Sequence, residues 1–439
     1  VAILFLVTYV YHHISSSTHQ NYSLLKNLRL NDEKKNQLRY AISVDNCETP
    51  ALENASAEYI ESYKDRKYLQ KEIENICSKF PDFSKIENDT LYLTNQNVSD
   101  CCVSSITRPW KDPQDDYVLN STCVPFTNEK IDISGLEFLM VTCKDQKSSQ
   151  SPLYNFHAHV PTPPREQNFS EVYQKPGTSS TACTSWISLG IIHQENRPSF
   201  FEDDPIVGTF NYGGQIGFEE QPTTLYTRPL MIYHTKMTKR DTLNYYKRYC
   251  FGQRNVIQFL LDYHFKILDI LSEVPTFQVT WPCWPQHDLG GSLRILDDTY
   301  SNFFKTVSEN KQILENTLLI VTSDHGFYSK QENRYPVSFN GLVERRNVPL
   351  FIRLPDKLRR VYPEMQENLG MNSKSITSHY DIYQTLLHIA KMAGNVDPLT
   401  NLTTHGASLL SKIPQNRTCK EARIPKTMCL CQLDTNSFN

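Results

Sequence analysis

The sequence has no strong excess of charge of either sign. It contains 45 Lys and Arg against 48 Asp and Glu, which leaves a net charge of −3 and a pI near 6.5. A general binder of nucleic acid or of an anionic membrane surface needs a positive excess, so the composition argues against both partners. Charged residues are only 21% of a chain that is 39% hydrophobic, which excludes an intrinsically disordered protein.

Several motifs that mark common enzyme classes are missing. The chain contains no Walker A loop, no G-x-G-x-x-G that opens a helix, no H-E-x-x-H and no G-x-S-x-G. P-loop NTPases, dinucleotide-binding domains, zincin proteases and hydrolases with that serine turn are therefore not indicated. Internal repeats and low-complexity tracts are also missing, so the chain does not resemble a solenoid or a linker protein.

The chain also lacks an apolar run of the roughly 20 residues that a helix needs to cross a bilayer. Its apolar start is shorter, from Val1 to Tyr11, and neither a methionine nor a basic residue precedes it. This composition favours a truncated signal peptide or signal anchor over residues 1–20, and a buried N-terminal strand is the alternative. The first interpretation predicts a secreted or type II membrane protein that contacts the membrane only through this anchor.

Potential glycosylation sites are present at both ends of the chain and missing from its middle. The N-x-S/T sequons are at Asn21, Asn54, Asn88, Asn97, Asn120, Asn168, Asn401 and Asn416. Each tripeptide alone is weak evidence. The interval between Asn168 and Asn401 contains no sequon, however, and this indicates a buried core flanked by glycosylated ends. We therefore expect an extracellular or lumenal glycoprotein.

The twelve cysteines follow the same distribution and lack the paired C-x2-C spacing of a zinc finger. We expect disulfides in an oxidising compartment, formed by nine of them: Cys47, Cys77, Cys101, Cys102, Cys123, Cys143, Cys419, Cys429 and Cys431. The pairing cannot be read from the sequence. The neighbours Cys101 and Cys102 are expected to bond to different partners, because a bridge between adjacent residues strains the peptide between them.

Composition and hydrophobic periodicity divide the chain into segments. After the leader, residues 21–150 form a Cys-rich glycosylated N-terminal domain, 151–200 a Pro-rich linker and degenerate start of the core, 201–415 an α/β core and 416–439 a Cys-rich tail. Within the N-terminal domain the pattern predicts a helix from Glu58 to Phe80 and strands at Leu91–Leu93 and Phe138–Thr142.

Buried strands alternate with amphipathic helices in the core. Helices are predicted at Asn255–Val274, Leu293–Glu315 and Ile382–Met392, and strands at Thr276–Trp281, Thr317–Thr322 and Val348–Leu354. Alternation of this kind predicts a doubly wound, mostly parallel sheet with helices on both faces, preceded by the small disulfide-rich domain.

Polar clusters follow two of these strands. His287 and Asp288 come after the first, and Ser323, Asp324 and His325 come after the second. Ligands of open α/β sheets bind beyond the carboxyl ends of the strands, and a carboxylate beside an imidazole suits zinc or manganese. The alternative is that Asp324 caps the next segment while His325 packs.

An acidic triplet, Glu202, Asp203 and Asp204, opens the core. Carboxylates in a row suit a cation, but a solvated loop is the commoner explanation of such a cluster. We therefore expect the triplet to be a solvated loop, with a metal site as the alternative.

Several motifs occur in a fixed order: FEDDPIVGTFNYGGQIGFEEQPTTLYTRP from Phe201, YCFGQ from Tyr249, QHD and SDHG after the two strands, TSHYDIYQTLLHIA from Thr377, and RTCKEARIPKTMCLC from Arg417. Together they resemble the alkaline-phosphatase-like and sulfatase superfamily, and most closely the animal extracellular family catalogued as domain of unknown function 229. The resemblance covers nearly all of the chain. It implies an alkaline-phosphatase-like core over residues 201–415.

The resemblance also implies metal-dependent hydrolysis of a phosphate or sulfate ester. By position, Asp324 and His325 correspond to ligands of a divalent metal such as Zn, Mn or Ca, and His287 or Asp288 to a second ligand or anion contact. His405, in THGASLL, corresponds to a further ligand in some relatives, although a turn before a helix at Ala407–Leu410 explains it equally well. The partner implied is a sulfated or phosphorylated extracellular molecule, and no oligomeric state is indicated.

One segment of the family pattern is missing. Between Tyr154 and Phe201 the chain has no apolar strand that ends in a metal-binding Asp and no following stretch with the nucleophile, and Thr181, Thr184 and Ser185 lack a preceding strand that would position them. A site without that carboxylate and hydroxyl binds metal weakly or not at all. The sequence therefore leaves two hypotheses: an ester hydrolase, or an inactive relative that serves as an extracellular binding or structural glycoprotein.

Overall fold

The structure is a computed structural model and describes residues 8–10, 43–44, 47–48, 75, 77–80, 82–95, 97–146, 152–161, 197–205, 208–211, 215–239, 249–272, 276–283, 296–326, 345–392 and 405–432. The chain divides into two compact units. The first contains Val1–Val10, Glu61–Phe327 and Pro349–Pro355, and the second contains Tyr11–Ile60, Tyr328–Val348 and Asp356–Asn439.

The described strands, in chain order, are β1 (Thr8–Val10), β2 (Ser43–Val44), β3 (Cys47–Glu48), β4 (Ser84–Glu87), β5 (Thr90–Leu93), β6 (Val98–Thr107), β7 (Leu119–Asn120), β8 (Val124–Pro125), β9 (Lys130–Asp132), β10 (Phe138–Asp145), β11 (Pro152–Ala158), β12 (Arg197–Glu202), β13 (Leu225–Tyr226), β14 (Cys250–Phe251), β15 (Arg254–Asn255), β16 (Thr276–Trp281), β17 (Thr317–Thr322) and β18 (Leu350–Arg353).

The described α-helices are α1 (Arg228–Lys239), α2 (Val256–Ile270), α3 (Asp297–Glu309), α4 (Lys311–Asn316), α5 (Asp356–Val361), α6 (Pro363–Asn372) and α7 (His379–Met392). Two short 3-10 helices, Lys426–Met428 and Leu430–Gln432, lie near the carboxyl end. No helix of the described residues is long and apolar enough to cross a membrane.

The main sheet of the first unit has six strands in the order β13-β12-β16-β1-β17-β18. β12 is parallel to both β13 and β16. β1 lies between β16 and β17 and is antiparallel to both, so β16 and β17 run in the same direction. Thr8–Val10 is therefore a strand of the main sheet, as the alternative interpretation of the apolar start predicted. The signal peptide or signal anchor over residues 1–20 stays a prediction.

The chain is a mixed α/β protein, and the prediction of a mostly parallel sheet needs correction. β18, predicted over Val348–Leu354, pairs antiparallel with β17, and β1 is also antiparallel to its neighbours. Two parallel neighbours need a long crossover between them. The apolar composition of β18 indicates a strand but does not give its direction, so the sequence did not show that it is antiparallel to β17.

The buried strands of the core were predicted with their bounds. β16 and β17 have the predicted limits, and every residue in both is buried. The helix predicted at Leu293–Glu315 is instead two helices, α3 and α4. Asn310 separates them, since its side chain accepts hydrogen bonds from the backbone N–H groups of Gln312 and Ile313 and caps α4.

The amino-terminal part of the first unit is built from two β-sheets. One has the order β11-β10-β6-β7 with β8 also paired to β6, and the other has the order β4-β5-β9. β10 is buried on both faces: Phe138 and Met140 pack in the larger core with the helices, and Leu139 and Val141 pack in a smaller core under β5. This two-sided burial explains the unbroken apolar run of β10.

Disulfides staple both units. Cys101 bonds to Cys143 and Cys102 to Cys123, so the adjacent cysteines have different partners as expected. Cys77 bonds to Cys250, a cysteine that the sequence did not assign to a bridge. In the second unit Cys419 bonds to Cys429, and Cys431 is also disulfide-bonded. The side chain of Cys47 lies outside the described residues.

The predicted N-terminal domain and the first half of the predicted core share one unit, because Glu61–Phe327 is continuous within it. The domain boundaries drawn from composition stay predictions. The helix predicted from Glu58 to Phe80, the linker and Cys183 lie wholly or mostly outside the described residues.

Four of the sequon asparagines are described, namely Asn88, Asn97, Asn120 and Asn416, and all four side chains are exposed. Exposure is what attachment of a glycan requires. Asn21, Asn54, Asn168 and Asn401 lie outside the described residues. Glycosylation stays a prediction.

Candidate functional site

Three strands of the main sheet end at one edge. β12, β16 and β17 run in the same direction, so the residues that follow them meet at the carboxyl edge of the sheet. Asp203 and Asp204 follow β12, Cys283 follows β16, and Asp324 and His325 follow β17. This set is called the carboxylate edge below.

The acidic triplet at this edge is buried, which corrects the expectation of a solvated loop. Glu202 is 1% exposed, Asp203 7% and Asp204 9%. The reason is that Arg197–Glu202 is a strand inside the sheet, so the carboxylates emerge at its buried end. A sequence that begins with Arg-Pro and ends in Glu does not have the apolar pattern of an interior strand, and the sequence therefore did not predict it.

Asp203 ties two strand ends together. Its Oδ1 accepts a hydrogen bond of 2.6 Å from the backbone N–H of Cys283, the residue that follows β16. A hydrogen bond from a backbone N–H to a charged oxygen is among the stronger kinds in proteins. The end of β16 is therefore held at a fixed distance from the end of β12.

Glu202 turns away from the edge and pairs with Arg228. The Arg228 Nη1 atom donates to Glu202 Oε1 at 3.0 Å, and both side chains are almost fully buried. Burial raises the pKa of Glu202 to about 7, although Arg228 opposes this rise. Gly208 leaves room for the pair, since a Cβ atom there would lie 2.9 Å from both Arg228 Nη1 and Glu202 Oε2.

Cys283 is a free thiol surrounded by carboxylates. Its side chain is buried, and no disulfide joins it. Burial raises the pKa of this thiol, and the negative charges of Asp203, Asp204 and Asp324 raise it further. The thiol is therefore protonated and is a poor nucleophile in this field. The carboxylates that follow β12 and β17 therefore both act on the Cys283 thiol, beside the end of β16.

The loop after β17 orients one carboxylate and one imidazole toward each other. Asp324 Oδ2 lies 3.3 Å from His325 Nε2, and both side chains are partly exposed. Asp324 Oδ1 accepts from the backbone N–H of His325 at 2.7 Å. The Ser323 hydroxyl donates to the His325 carbonyl at 2.7 Å, which closes the turn.

The hydrogen bonds of His325 assign its tautomer. Nδ1 lies 2.7 Å from the carbonyl oxygen of Gly326, which only accepts, so Nδ1 carries the proton and Nε2 has a lone pair. In the neutral imidazole, that lone pair faces the Asp324 carboxylate. A cation between them, or a second proton on the ring, removes the repulsion.

The spacing of these two atoms fits a metal ion. Ligand bonds of about 2.0–2.2 Å at a tetrahedral zinc place neighbouring ligand atoms roughly 3.3 Å apart, which is the observed separation of Nε2 and Oδ2. A carboxylate and an imidazole also suit the chemistry of Zn and Mn. Asp324 and His325 therefore fit two positions of a metal site.

The described part of the carboxylate edge does not close into a complete cluster. Among the described residues, the set of three ligand-type side chains whose atoms all lie within 4.8 Å is Cys419, Cys429 and Cys431. Two of these are bonded to each other and the third is also in a disulfide, so this set is a structural staple.

The other residues that the sequence singled out lie elsewhere or are not described. His287 and Asp288 lie outside the described residues. His405 lies in the second unit, where its ring packs edge-on against Tyr380 at 5.8 Å and its carbonyl accepts from the side chain of Gln384 at 3.0 Å. The residues after it form a loop and turn, so the helix predicted at Ala407–Leu410 is wrong.

Comparison with family models matches residues 197–439 to the family described as Protein of unknown function (DUF229). No curated protein and no solved structure matches the chain. The matched residues begin at β12 and include the carboxylate edge and the disulfide of the tail. Because the match extends over more than half of the chain, this protein belongs to the DUF229 family.

Proposed function

We propose that this protein is an extracellular glycoprotein of the alkaline-phosphatase-like superfamily that binds a divalent metal at the carboxylate edge and hydrolyses a phosphate or sulfate ester. The observation that carries the proposal is the pair Asp324 and His325, whose ligand atoms are 3.3 Å apart at the end of a central strand. Buried Asp203 and Asp204 at the end of β12 add negative charge to the same edge.

The fold assignment rests on strand direction. β13, β12, β16 and β17 all run the same way, and β16 and β17 are each preceded by helices in the chain. This arrangement supports a doubly wound sheet with its site at the carboxyl ends. The exposed sequon asparagines and the disulfides support an extracellular location.

We assign the metal to Asp324 and His325, with His287 and Asp288 as candidates for further ligands. When bound, a Zn, Mn or Ca ion supplies positive charge that stabilises the charge developing on the ester oxygens. The chain's own contribution is orientation: Gly326 holds the His325 ring through Nδ1, and Asp203 holds the end of β16. Cys283 stays protonated and is not assigned as the nucleophile.

A second function has one observation in its favour. The strand between β16 and β17 is antiparallel β1, whose amino end faces the carboxylate edge. An antiparallel strand does not deliver a nucleophile from its carboxyl end to that edge, and the sequence between Tyr154 and Phe201 lacks the family's nucleophile segment. The alternative is a binding or structural glycoprotein without turnover.

Metal binding tests the first proposal. Calorimetric titration of the chelator-treated full chain with Zn, Mn and Ca is expected to show binding of at least one ion. Asp324→Asn and His325→Gln are each expected to weaken it about tenfold or more, since each removes a ligand. Asp100→Asn, on an exposed carboxylate paired with Lys144, is the control and keeps wild-type affinity. Equal affinity in all three variants contradicts the assignment.

Turnover separates the two functions. Aryl phosphate, bis-aryl phosphodiester and aryl sulfate are assayed with the metal-loaded protein. Hydrolysis that disappears in Asp324→Asn and persists in Asp100→Asn supports the hydrolase. Metal binding without hydrolysis of any of the three substrates supports the binding glycoprotein and rejects the hydrolase.

A further inference from the structure

A cavity of about 250 Å³ lies in the first unit, away from the carboxylate edge. Its walls come from β4, β11, the β14–β15 hairpin and α2, and none of its lining residues belongs to that edge. Its size is near the lower limit for small-molecule sites. The cavity therefore has the dimensions of a site for a small ligand.

One face of α2 forms the longest wall. Phe259, Asp262, Tyr263 and Lys266 line the cavity, and their spacing places them on a single face of the helix. Phe259 stacks on Phe251 of the hairpin with ring centroids 4.3 Å apart. The floor of the cavity is thus aromatic and buried, with charged groups beside it.

Lys266 is a cation on the wall of the same cavity. Its side chain is half-buried, and it makes no hydrogen bond or ion pair with the part of the chain that the structure describes. Burial lowers its pKa, and the negative charge of Asp89 opposes this. A half-buried ammonium without a counter-ion in contact is stabilised by an anionic ligand.

Arg254 is a second cation on the same wall. Its Nη1 atom donates to Asp262 Oδ2 at 2.6 Å, and Asp262 also accepts from Gln258 at 2.6 Å, so this carboxylate is already engaged. The other lining carboxylate, Asp82, has its pKa raised by burial and lowered by Arg254. Lys85, a third cation on the rim, pairs with Glu87 at 2.6 Å.

Both cations act on His157. Burial lowers the pKa of His157 to about 3, and Arg254 and then Lys266 add to this effect. The imidazole is therefore neutral at physiological pH. Arg254 and Lys266 both line the cavity, so a ligand inside it is exposed to both positive charges.

The hydrogen bonds at the cavity wall exclude a serine nucleophile. Ser84 Oγ lies 3.0 Å from the Asn155 Oδ1 atom, which only accepts, and 2.8 Å from His157 Nε2. The hydroxyl donates to Asn155, so His157 donates to Ser84. In a catalytic Ser–His pair the imidazole accepts from the hydroxyl, and this direction is reversed here. Ser84 is therefore not arranged as a nucleophile that His157 activates.

We propose that this cavity binds a small organic phosphate or sulfate ester, with the oxyanion on Lys266 and Arg254. Ammonium and guanidinium groups are the usual partners of such oxyanions, and the cavity volume of about 250 Å³ limits the organic part to a small group such as a monosaccharide. The site depends on no metal and on no residue of the carboxylate edge.

Calorimetric titration of the chelator-treated full chain tests the proposal. The probes are glucose 6-phosphate, glucose 6-sulfate, glucose and inorganic sulfate. Binding of at least one sugar ester is expected, with glucose and inorganic sulfate weaker. Preference for one ester identifies phosphate or sulfate as the group that is recognised. No binding of either ester overturns the proposal, and binding of inorganic sulfate as tight as the esters overturns recognition of the organic part.

Variants test the assignment of Lys266. Lys266→Gln is expected to lose about tenfold or more in affinity, because a charged hydrogen bond is removed, and Lys266→Arg is expected to restore most of it. Lys144→Gln, on an exposed lysine of β10, is the control. Wild-type affinity in Lys266→Gln overturns the assignment. Asp324→Asn is expected to bind the ester normally, so failure of the metal proposal and failure of this one are distinguishable.

Discussion

Asp115 shows how a single buried residue is held by partners distant in the sequence. Its carboxylate lies 3.0 Å from Arg108 Nε and 3.5 Å from Arg228 Nε, and it accepts a hydrogen bond of 2.6 Å from the Tyr226 hydroxyl. Burial still raises its pKa, since the cost of removing a carboxylate from water outweighs these partners. Removing the Asp115 carboxylate would leave two buried guanidinium groups with fewer partners. The resulting loss of stability would exceed the net stabilisation that the intact ion pairs provide.

Glu137 gives a testable pH dependence at the same scale. Burial raises its pKa from 4.5 to about 8, against hydrogen bonds from the Tyr226 backbone N–H and the Tyr263 hydroxyl. Between these values the folded state holds a proton that the unfolded state has released, so stability falls as pH rises from about 4.5 to about 8. Glu137→Gln mimics the protonated form and should flatten this decline.

Denaturant unfolding at several pH values measures the effect. The variant is expected to exceed the wild type at pH 8 by on the order of 1–3 kcal/mol, and the difference should vanish near pH 4.5. Glu309→Gln, on an exposed glutamate at the end of α3, is the control and should leave the profile unchanged. A Glu137→Gln profile parallel to that of the wild type contradicts the prediction.

At the scale of elements, the second unit is organised around the first turn of α7. Asp381 forms a bidentate pair with Arg417, with N–O distances of 2.8 and 2.9 Å, and also accepts from the Ala407 backbone N–H at 2.8 Å. One buried carboxylate therefore holds both the loop at Gly406 and the start of the tail against the helix.

Two glycines of this unit should respond in opposite directions to substitution by alanine. Gly406 has φ +86°, and a Cβ atom there would lie 2.4 Å from the Tyr380 carbonyl oxygen, so Gly406→Ala should cost about 2–4 kcal/mol. Gly370 is in helix α6 with open space around it, and Gly370→Ala should gain about 0.5–1 kcal/mol. Denaturant unfolding measures both, and a Gly406→Ala variant as stable as the wild type would refute the backbone clash.

The elements also show where prediction from sequence succeeded. β16 and β17 were predicted to the residue because both are buried on all sides and are bounded by Pro and polar residues. β12 was missed because its ends are Arg and Glu, and Glu202 is tolerated only through Arg228. The antiparallel direction of β18 was missed since its apolar residues suit either direction equally.

At the scale of the whole molecule, the Cys77–Cys250 disulfide joins the amino-terminal sheets to the hairpin beside α2. It closes a sequence separation of 173 residues, against 21 for Cys102–Cys123 in the same unit. Chain-entropy arguments assign about 5 kcal/mol to the longer loop and about 3 kcal/mol to the shorter.

The two disulfides provide a matched comparison. Calorimetry on Cys77→Ala/Cys250→Ala should show a larger fall in Tm than on Cys102→Ala/Cys123→Ala, because the longer loop regains more conformational freedom when unfolded. The opposite order would show that local packing at the bridges outweighs loop entropy.

Sequence alone was sufficient for features that depend on local chemistry: an α/β class from alternating apolar periods, disulfides from cysteine number, family membership from ordered motifs, and the position of Asp324 and His325 directly after a strand. Folding was needed for whatever depends on residues far apart in the chain. Burial of Asp203 and Asp204, their effect on Cys283, the Cys77–Cys250 bridge and the placement of Lys266, Arg254 and His157 around one cavity all follow from strand order and helix packing. Long-range proximity of this kind is set by the packing of the core, which a local pattern does not encode.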